Sequence, residues 1–478
     1  MSTGVNLGSP SREAEEFLAP SVEMEAASAI PASITIQAKP VATAGRRKLP
    51  FGLSLSPERA LYQSFISLAD QAVASATNFA TGIIIARACT KEELGLYMLG
   101  CSLIFLMTDF QTSLITTPYM VYAPRLKGRA HALYTGSTLI HQLAFCLITM
   151  LGVACGAFAV TSGIGPRGLG PVLWALCVVI ALIMLREHAR RVSFARLRLK
   201  TAFLFDASIA VGQISGLLVL AHFGLLSASH SFWMIGSVCG IAVLAWLWSD
   251  REFYHPRLSE SRADLKKNWV FGKWVFASGL VWAVAMNLYP WFLAYFHGTA
   301  SAGVWATCVG VVSVGNPVLM GIQNFVGPKI AHVYAAAGPK ALRRMVLKIT
   351  AAIFLPVSLL CLVLIFWGGR LIVLLYGRQY AGNNLVVAIL ALNVLVYAAA
   401  FVFSRALMAI ERADLDFLAN SAALLVMVVL GFWLVRSFGT LGAAIGFFAA
   451  NIITSAVRAG IFLSLPARIS EGGDVDAA

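Results

Sequence analysis

The chain has 478 residues, 59% of them hydrophobic and 12% charged, with a mean hydropathy of +0.79 and a formal net charge of +14. Soluble domains carry about 25% charged residues, so most of this chain is solvated by lipid and a soluble globular enzyme is excluded. The surplus Lys and Arg lie between apolar segments and not in one soluble patch, so membrane topology explains them and nucleic-acid binding does not.

Residues 1–59 are rich in Ala, Ser, Pro and Glu, with Glu13, Glu15, Glu16, Glu23 and Glu25 early and Arg46, Arg47 and Lys48 late. No apolar core follows a basic start, which argues against a signal peptide. The segment reads as a disordered cytoplasmic tail ending in a basic juxtamembrane stretch. A bilayer core of about 30 Å needs roughly 20 apolar residues of helix, and segments of that kind recur through the rest of the chain. They are predicted near 62–86, 94–118, 132–160, 169–186, 200–222, 227–249, 271–296, 301–325, 345–368, 383–404, 415–436 and 440–464. The fold class is therefore all-α, a polytopic membrane protein of about twelve transmembrane helices. Residues 60–250 are expected to form a first six-helix lobe, 251–270 a cytoplasmic linker, 271–465 a second six-helix lobe and 466–478 an acidic cytoplasmic tail.

Charge fixes the expected orientation. The even-numbered loops hold 22 Lys and Arg against six in the odd-numbered loops. By the positive-inside rule the even loops are cytoplasmic, and so are both termini. The two halves also echo one another. Asp70-Gln71-Ala72 leads through Asn78 to Gly95-Leu96-Tyr97 and Pro118; Gly279 leads through Asn287 to Gly303-Val304-Trp305 and Pro328. Aligning Gly95 with Gly303 brings Asn78 within one residue of Asn287 and Pro118 within two of Pro328. Six helices separate the units, so the repeats are parallel, a plan that rocks around a central site.

Catalytic and cofactor signatures are missing. No GxxxxGK[ST] loop occurs, no cofactor or metal is expected, and the chain reads as a non-enzyme. Asp474-Val475-Asp476 is a solvated charge run, and Asp414-Leu415-Asp416 a carboxylate pair at a helix N-terminus. The eight cysteines form no CxxC pair and read as small packing residues. The spacings Gly212–Gly216 and Gly236–Gly240 mark close-packing faces.

Charges within the bilayer are costly and point to function by default. At about 1.5 Å per residue, Asp70 lies roughly 12 Å from the cytoplasmic end of helix one. Asp109 and His141 lie about 13 Å in, on helices two and three. The three are candidate sites for a coupling proton or sodium ion, and buried struts are the competing reading. A second set suits a wet cavity for a sugar-bearing substrate: Asn78, Asn287, Asn316 and Asn451, with Arg87 as a phosphate partner. Gln323, Asn324, Asn393 and Asn420 are further amides of that kind. Snorkelling competes for Arg87 and is the preferred reading of Arg405 and Arg458. Pro290 and Pro317 are expected to interrupt helices seven and eight.

The run from Leu68-Ala69-Asp70-Gln71-Ala72 through Asn78-Phe79, Ile85-Ala86-Arg87-Ala88 and Glu93-Leu94-Gly95-Leu96-Tyr97 carries a family likeness. It resembles the opening of the polysaccharide-transporter, or O-antigen flippase, branch of the multidrug/oligosaccharidyl-lipid/polysaccharide exporter superfamily. Tyr376-Gly377-Arg378-Gln379-Tyr380 is similar to that family's external loop before helix ten. The resemblance covers residues 60–465 in layout and only helices one and two in specific sequence. It implies two six-helix lobes in a bacterial inner membrane, exporting polyprenyl-pyrophosphate-linked glycan, with an ion gradient as driving force and other polysaccharide-export proteins as possible partners. Asp70, Asn78 and Arg87 are the positions carried over. The long N-terminal tail departs from the family's compact start. Two other readings stay open: a drug or metabolite/cation antiporter of the same superfamily, and a membrane-embedded glycan-assembly enzyme, which the short external loops disfavour.

Overall fold

Lipid offers the backbone no hydrogen-bond partner, so a spanning segment must satisfy its own N–H and C=O groups. The computed structural model describes residues 57–410 and 412–464, and every regular element among them is helical. The tails expected at 1–59 and 466–478 lie outside the described residues, apart from residues 57–59. The helices are α1 (Pro57–Ala88), α2 (Lys91–Gln111), α3 (Thr117–Tyr122), α4 (Gly128–Thr161), α5 (Leu169–Ala195) and α6 (Leu199–His222). They continue with α7 (Ala228–Asp250), α8 (Leu258–His297), α9 (Thr299–Ser313), α10 (Asn316–Tyr376), α11 (Asn384–Ala409) and α12 (Ala413–Ser464).

Three departures from the expected helices have local causes. The segment expected at 94–118 is α2 followed by a π-helical turn, Thr112–Thr116, and then α3. Pro118 stands in the first turn of α3, where its missing N–H and its ring break the regular ladder, and the wider turn absorbs the defect. Pro317 likewise falls in the first turn of α10, just after a break at Val314–Gly315, so the expected helix 301–325 is two helices. Pro290 lies inside a continuous α8, against expectation.

Two very long elements each contain a glycine outside helical φ/ψ. Gly439, at φ 56°, joins 413–438 to 440–464, and the two arms fold back so that Arg458 reaches Asp416. Gly338, at φ 69°, breaks the helical run inside α10. Both glycines sit in a region that side chains avoid. Among the described residues nine helices are long and apolar enough to cross a membrane, the 414–464 pair counting as one and the 15-residue α9 as too short. The helix expected at 62–86 is present as α1 but is not among the nine. Asp70, Gln71, Ser75 and Asn78 make it too polar to be solvated by lipid all round.

The core runs through α2, which packs on α9 and α8 as well as on α5 and α7. Leu99, Leu176, Phe232, Leu293 and Trp305 are buried in one continuous apolar cluster. A smaller aromatic cluster of Tyr119, Tyr134, Trp246 and Tyr254 closes the end of the bundle where α3 and α7 finish. The sequence-aligned glycines meet where α2 crosses α9. A methyl group at Gly95 would overlap the Thr299 carbonyl, and one at Gly303 would overlap the Lys91 carbonyl.

Candidate functional site

α1 has two chemical faces. Asp70, Thr81 and Ile85 turn inward: Asp70 meets α5, Thr81 accepts from Gln213 of α6 at 2.8 Å, and Ile85 is buried. Gln71, Ser75 and Asn78 fall at helical spacing on another face, and all three are exposed. α1 therefore carries one anchored face and one uncovered polar face.

The anchor is an ion-pair network. Arg190 of α5 binds Asp70 at 2.6 Å and Asp206 of α6 at 2.6 Å, while Arg186 also takes Asp206 at 2.6 Å. Glu187 accepts from Arg191 at 2.7 Å. Three guanidinium groups thus balance three carboxylates across α1, α5 and α6. Charges withdrawn from water persist when paired and hydrogen-bonded, and removing one partner typically costs about 3–5 kcal/mol. Asp70 Oδ1 and Asp206 Oδ2 are both buried without a hydrogen-bond partner, and the two carboxylates differ in their ion pairs, Asp206 meeting two guanidinium groups and Asp70 one. Asp70, an ion-coupling candidate from the sequence, is paired with Arg190 and so links α1 to α5. Arg186 and Arg190 were read as loop charges because α5 was expected to stop at residue 186; it runs to Ala195. The spacing of Arg186, Glu187, Arg190 and Arg191 at three and four residues was the available signal.

At the other end of α1, Arg87 joins the chain's two halves. Its Nε donates to the Leu375 carbonyl at 2.7 Å and its Nη2 donates to the Leu374 carbonyl, both in the last turn of α10. Gln379, just beyond α10, returns the bond by donating to the Ala86 carbonyl at 2.7 Å and the Cys89 carbonyl at 3.3 Å. The last carbonyls of a helix have no partner within it and carry partial negative charge. Each helix end is therefore capped by a side chain from the other half. Lys91 lies 6.0 Å from the Tyr380 ring centroid beside them.

The remaining candidates do not converge on one cluster. His141 Nε2 is 2.8 Å from the Ser261 carbonyl and 3.0 Å from its hydroxyl, tying α4 to the start of α8. The Asp109 side chain is exposed on α2 and has no ion pair or hydrogen bond among the described residues. Asn287 and Asn451 are half-buried, and each donates its amide to the carbonyl four residues back, at 2.8 and 3.0 Å. Asn316 is exposed at the start of α10. Arg458, expected to snorkel, instead binds Asp416 at 2.8 Å and Asn420 at 3.0 Å, which separates Asp416 from Asp414 and leaves the latter to Arg412 at 3.0 Å. No group of three His, Cys, Asp or Glu suited to a metal occurs among the described residues.

These helices make an all-α, multi-pass membrane fold. The fold is similar to that of a multidrug resistance MATE family transporter of the MOP superfamily in its inward-facing conformation. That likeness has a TM-score of 0.67 at 14% identity and covers 81% of this chain and 93% of the other. The lipid II flippase MurJ in an inward closed conformation is similar at a TM-score of 0.65 and 13% identity, over 85% of this chain and 88% of the other. A family model described as polysaccharide biosynthesis protein matches residues 127–384, and the chain belongs to that family. The capsular polysaccharide biosynthesis protein CapF of Staphylococcus aureus is 20% identical over 375 residues, 76% of this chain and 89% of the relative.

Proposed function

We propose that this protein moves lipid-linked glycan, a polyprenyl-pyrophosphate oligosaccharide, across the bacterial inner membrane by alternating access. Two six-helix halves, 60–250 and 271–465, are joined through 251–270, giving twelve crossings with both termini in the cytoplasm. The Arg190 end then faces the cytoplasm and the Arg87 end the outside. Membership of a polysaccharide biosynthesis family supplies the substrate class, and the name of the MurJ neighbour, a lipid II flippase, points the same way.

One observation carries the reading: Gln71, Ser75 and Asn78 are exposed together at helical spacing on α1, a helix that is not among those apolar enough to span a membrane unaided. A glycan headgroup needs such a wet wall while its polyprenyl tail stays in the bilayer. Asn78 and Asn316 are exposed, and their amides make no hydrogen bond among the described residues. Asn287 and Asn451 donate to their own helices and keep Oδ1 for a sugar hydroxyl. Arg87 caps α10 in this conformation, and its donors pass to the pyrophosphate when the halves part at that end. A proton or sodium ion supplies the drive, and glycan-assembly and export proteins are the natural partners. No catalytic step is assigned.

Deleting the gene tests this. Lipid-linked repeat units should accumulate in the cytoplasmic leaflet and exported polysaccharide should disappear, with both restored by the intact gene. Normal polysaccharide together with sensitivity to cationic drugs would instead favour a drug antiporter.

A further inference from the structure

Carboxylates at membrane depth persist only with a counter-charge or a donor, so each can be asked what balances it. Asp70 and Asp206 are balanced by Arg190 and Arg186, and Glu187 by Arg191. Asp250 is held by Arg196 and Arg198, Asp416 by Arg458, and Glu93 accepts the Ala228 N–H at 2.6 Å. Asp109, inside α2, has no such partner among the described residues.

Its surroundings on α2 say where it points. Gly100 and Gln111 turn toward α5 and α7, where Phe232, Leu176 and the Met184 carbonyl meet them. Ser102, Phe110 and Ser113 turn toward α8, meeting Trp291, Phe276 and Gly272. Asp109 and Phe105, one turn apart, occupy the face between these two and are both exposed. The charged groups of the packed elements are committed elsewhere: the α5 guanidiniums to their carboxylates, and Lys273 of α8 to a contact of its own. From α4, His141 is held by Ser261.

Directly after Asp109 the helix widens. Ser113, within the π-helical turn Thr112–Thr116, donates to the Asp109 carbonyl at 2.9 Å; the turn packs against Gly272 of α8, and Phe110 just before it meets Phe276. Turns of this kind recur at functional sites. An uncovered charge therefore sits one turn from the joint at which α2 bears on α8.

We infer that Asp109 is the site that takes up the coupling monovalent cation, a proton or Na⁺, and that Asp70 and His141 are not. The inference rests on the transport reading above and narrows its driving ion to one side chain. A charged Asp109 requires water, so α8 must leave its face open. Neutralised by the cation it can be covered, which lets the halves close over the joint.

Carbodiimide labelling of the full-length protein in liposomes tests this, read peptide by peptide by mass spectrometry. Dicyclohexylcarbodiimide should modify Asp109 and spare Asp70, and Asp109→Asn should remove the adduct while the protein elutes as a single folded species. Protection by NaCl but not by choline chloride identifies Na⁺. Loss of labelling with rising pH, indifferent to Na⁺, identifies the proton. Absence of an Asp109 adduct at every pH, or an adduct insensitive to both conditions, overturns the site. A deletion strain with normal polysaccharide would remove the substrate reading and leave this result standing.

Discussion

Gly95 and Gly303 pack against one another as a two-fold pair. The space a Cβ would need at Gly95 is filled by the carbonyl of Thr299, four residues before Gly303. The space at Gly303 is filled by the carbonyl of Lys91, four residues before Gly95. The backbone nitrogen of each glycine lies 3.1 Å from the Cβ position of the other. Such closeness is open only to glycine, and it lets two helices touch along their backbones where lipid supplies no hydrophobic force to join them.

Gly95→Ala and Gly303→Ala should therefore destabilise to a similar degree, each by about 1–3 kcal/mol as overpacked contacts do. Because both act on one contact, the double variant should lose clearly less than the sum of the singles. Melting of the detergent-solubilised protein measures all three. Additive losses would mean that the glycines act at separate sites.

The caps at Arg87 and Gln379 make a second prediction. Arg87→Ala or Gln379→Ala should loosen α1 from α10 and expose Cys89, which is half-buried and bonded to the Leu226 carbonyl at 3.4 Å. Labelling of the Cys89 peptide by a membrane-impermeant maleimide added outside intact cells should rise in both variants. Labelling that rises only after the cells are broken would place this end on the inner side.

Within the ion-pair network the carboxylates are unequal. Asp206 serves Arg186 and Arg190, whereas Asp70 serves Arg190 alone. Asp206→Asn is expected to lower the melting temperature more than Asp70→Asn. Adding Arg190→Ala to Asp70→Asn should recover part of the loss on the Asp70 side, since it removes a guanidinium with one partner missing. The reverse order of the two single variants would show that α1 depends on Asp70 for more than its tether.

Much of this layout was legible in the sequence because lipid imposes it. Apolar length marks α4 to α7 and α11, and Gly439 falls in the short gap expected between the last two helices. The glycine crossing was foreshadowed by the alignment of Gly95 with Gly303. The tertiary roles of polar residues were not legible. Arg87 binds carbonyls 287 and 288 residues away, and no local pattern announces a contact of that span. Arg190 looked like loop charge because hydropathy falls before the helix ends: the last two turns of α5 are polar since they face carboxylates, not lipid.

Orientation gives a fourth test. Reporter fusions at Gly165 and Gly298 should read outside, and fusions at Gly128 and Gly338 should read inside, as the distribution of Lys and Arg requires. Swapped readings at either pair would reverse the assignment of the Arg87 end.

The polar face of α1 gives the last. Asn78→Leu keeps the branched outline of the amide and turns a polar surface apolar, while the inward face that holds Asp70 and Thr81 is untouched. The variant should insert and melt like the parent, because an exposed side chain away from caps and pairs moves stability by about 0.5 kcal/mol or less. Its export of polysaccharide should nonetheless fall, and Gln71→Leu combined with it should deepen the loss, since both remove hydrogen-bonding groups from one surface. Complementation of the deletion strain, scored by surface polysaccharide per molecule of inserted protein, reads this directly. Full export by the double variant would mean that the polar face of α1 does not meet the glycan.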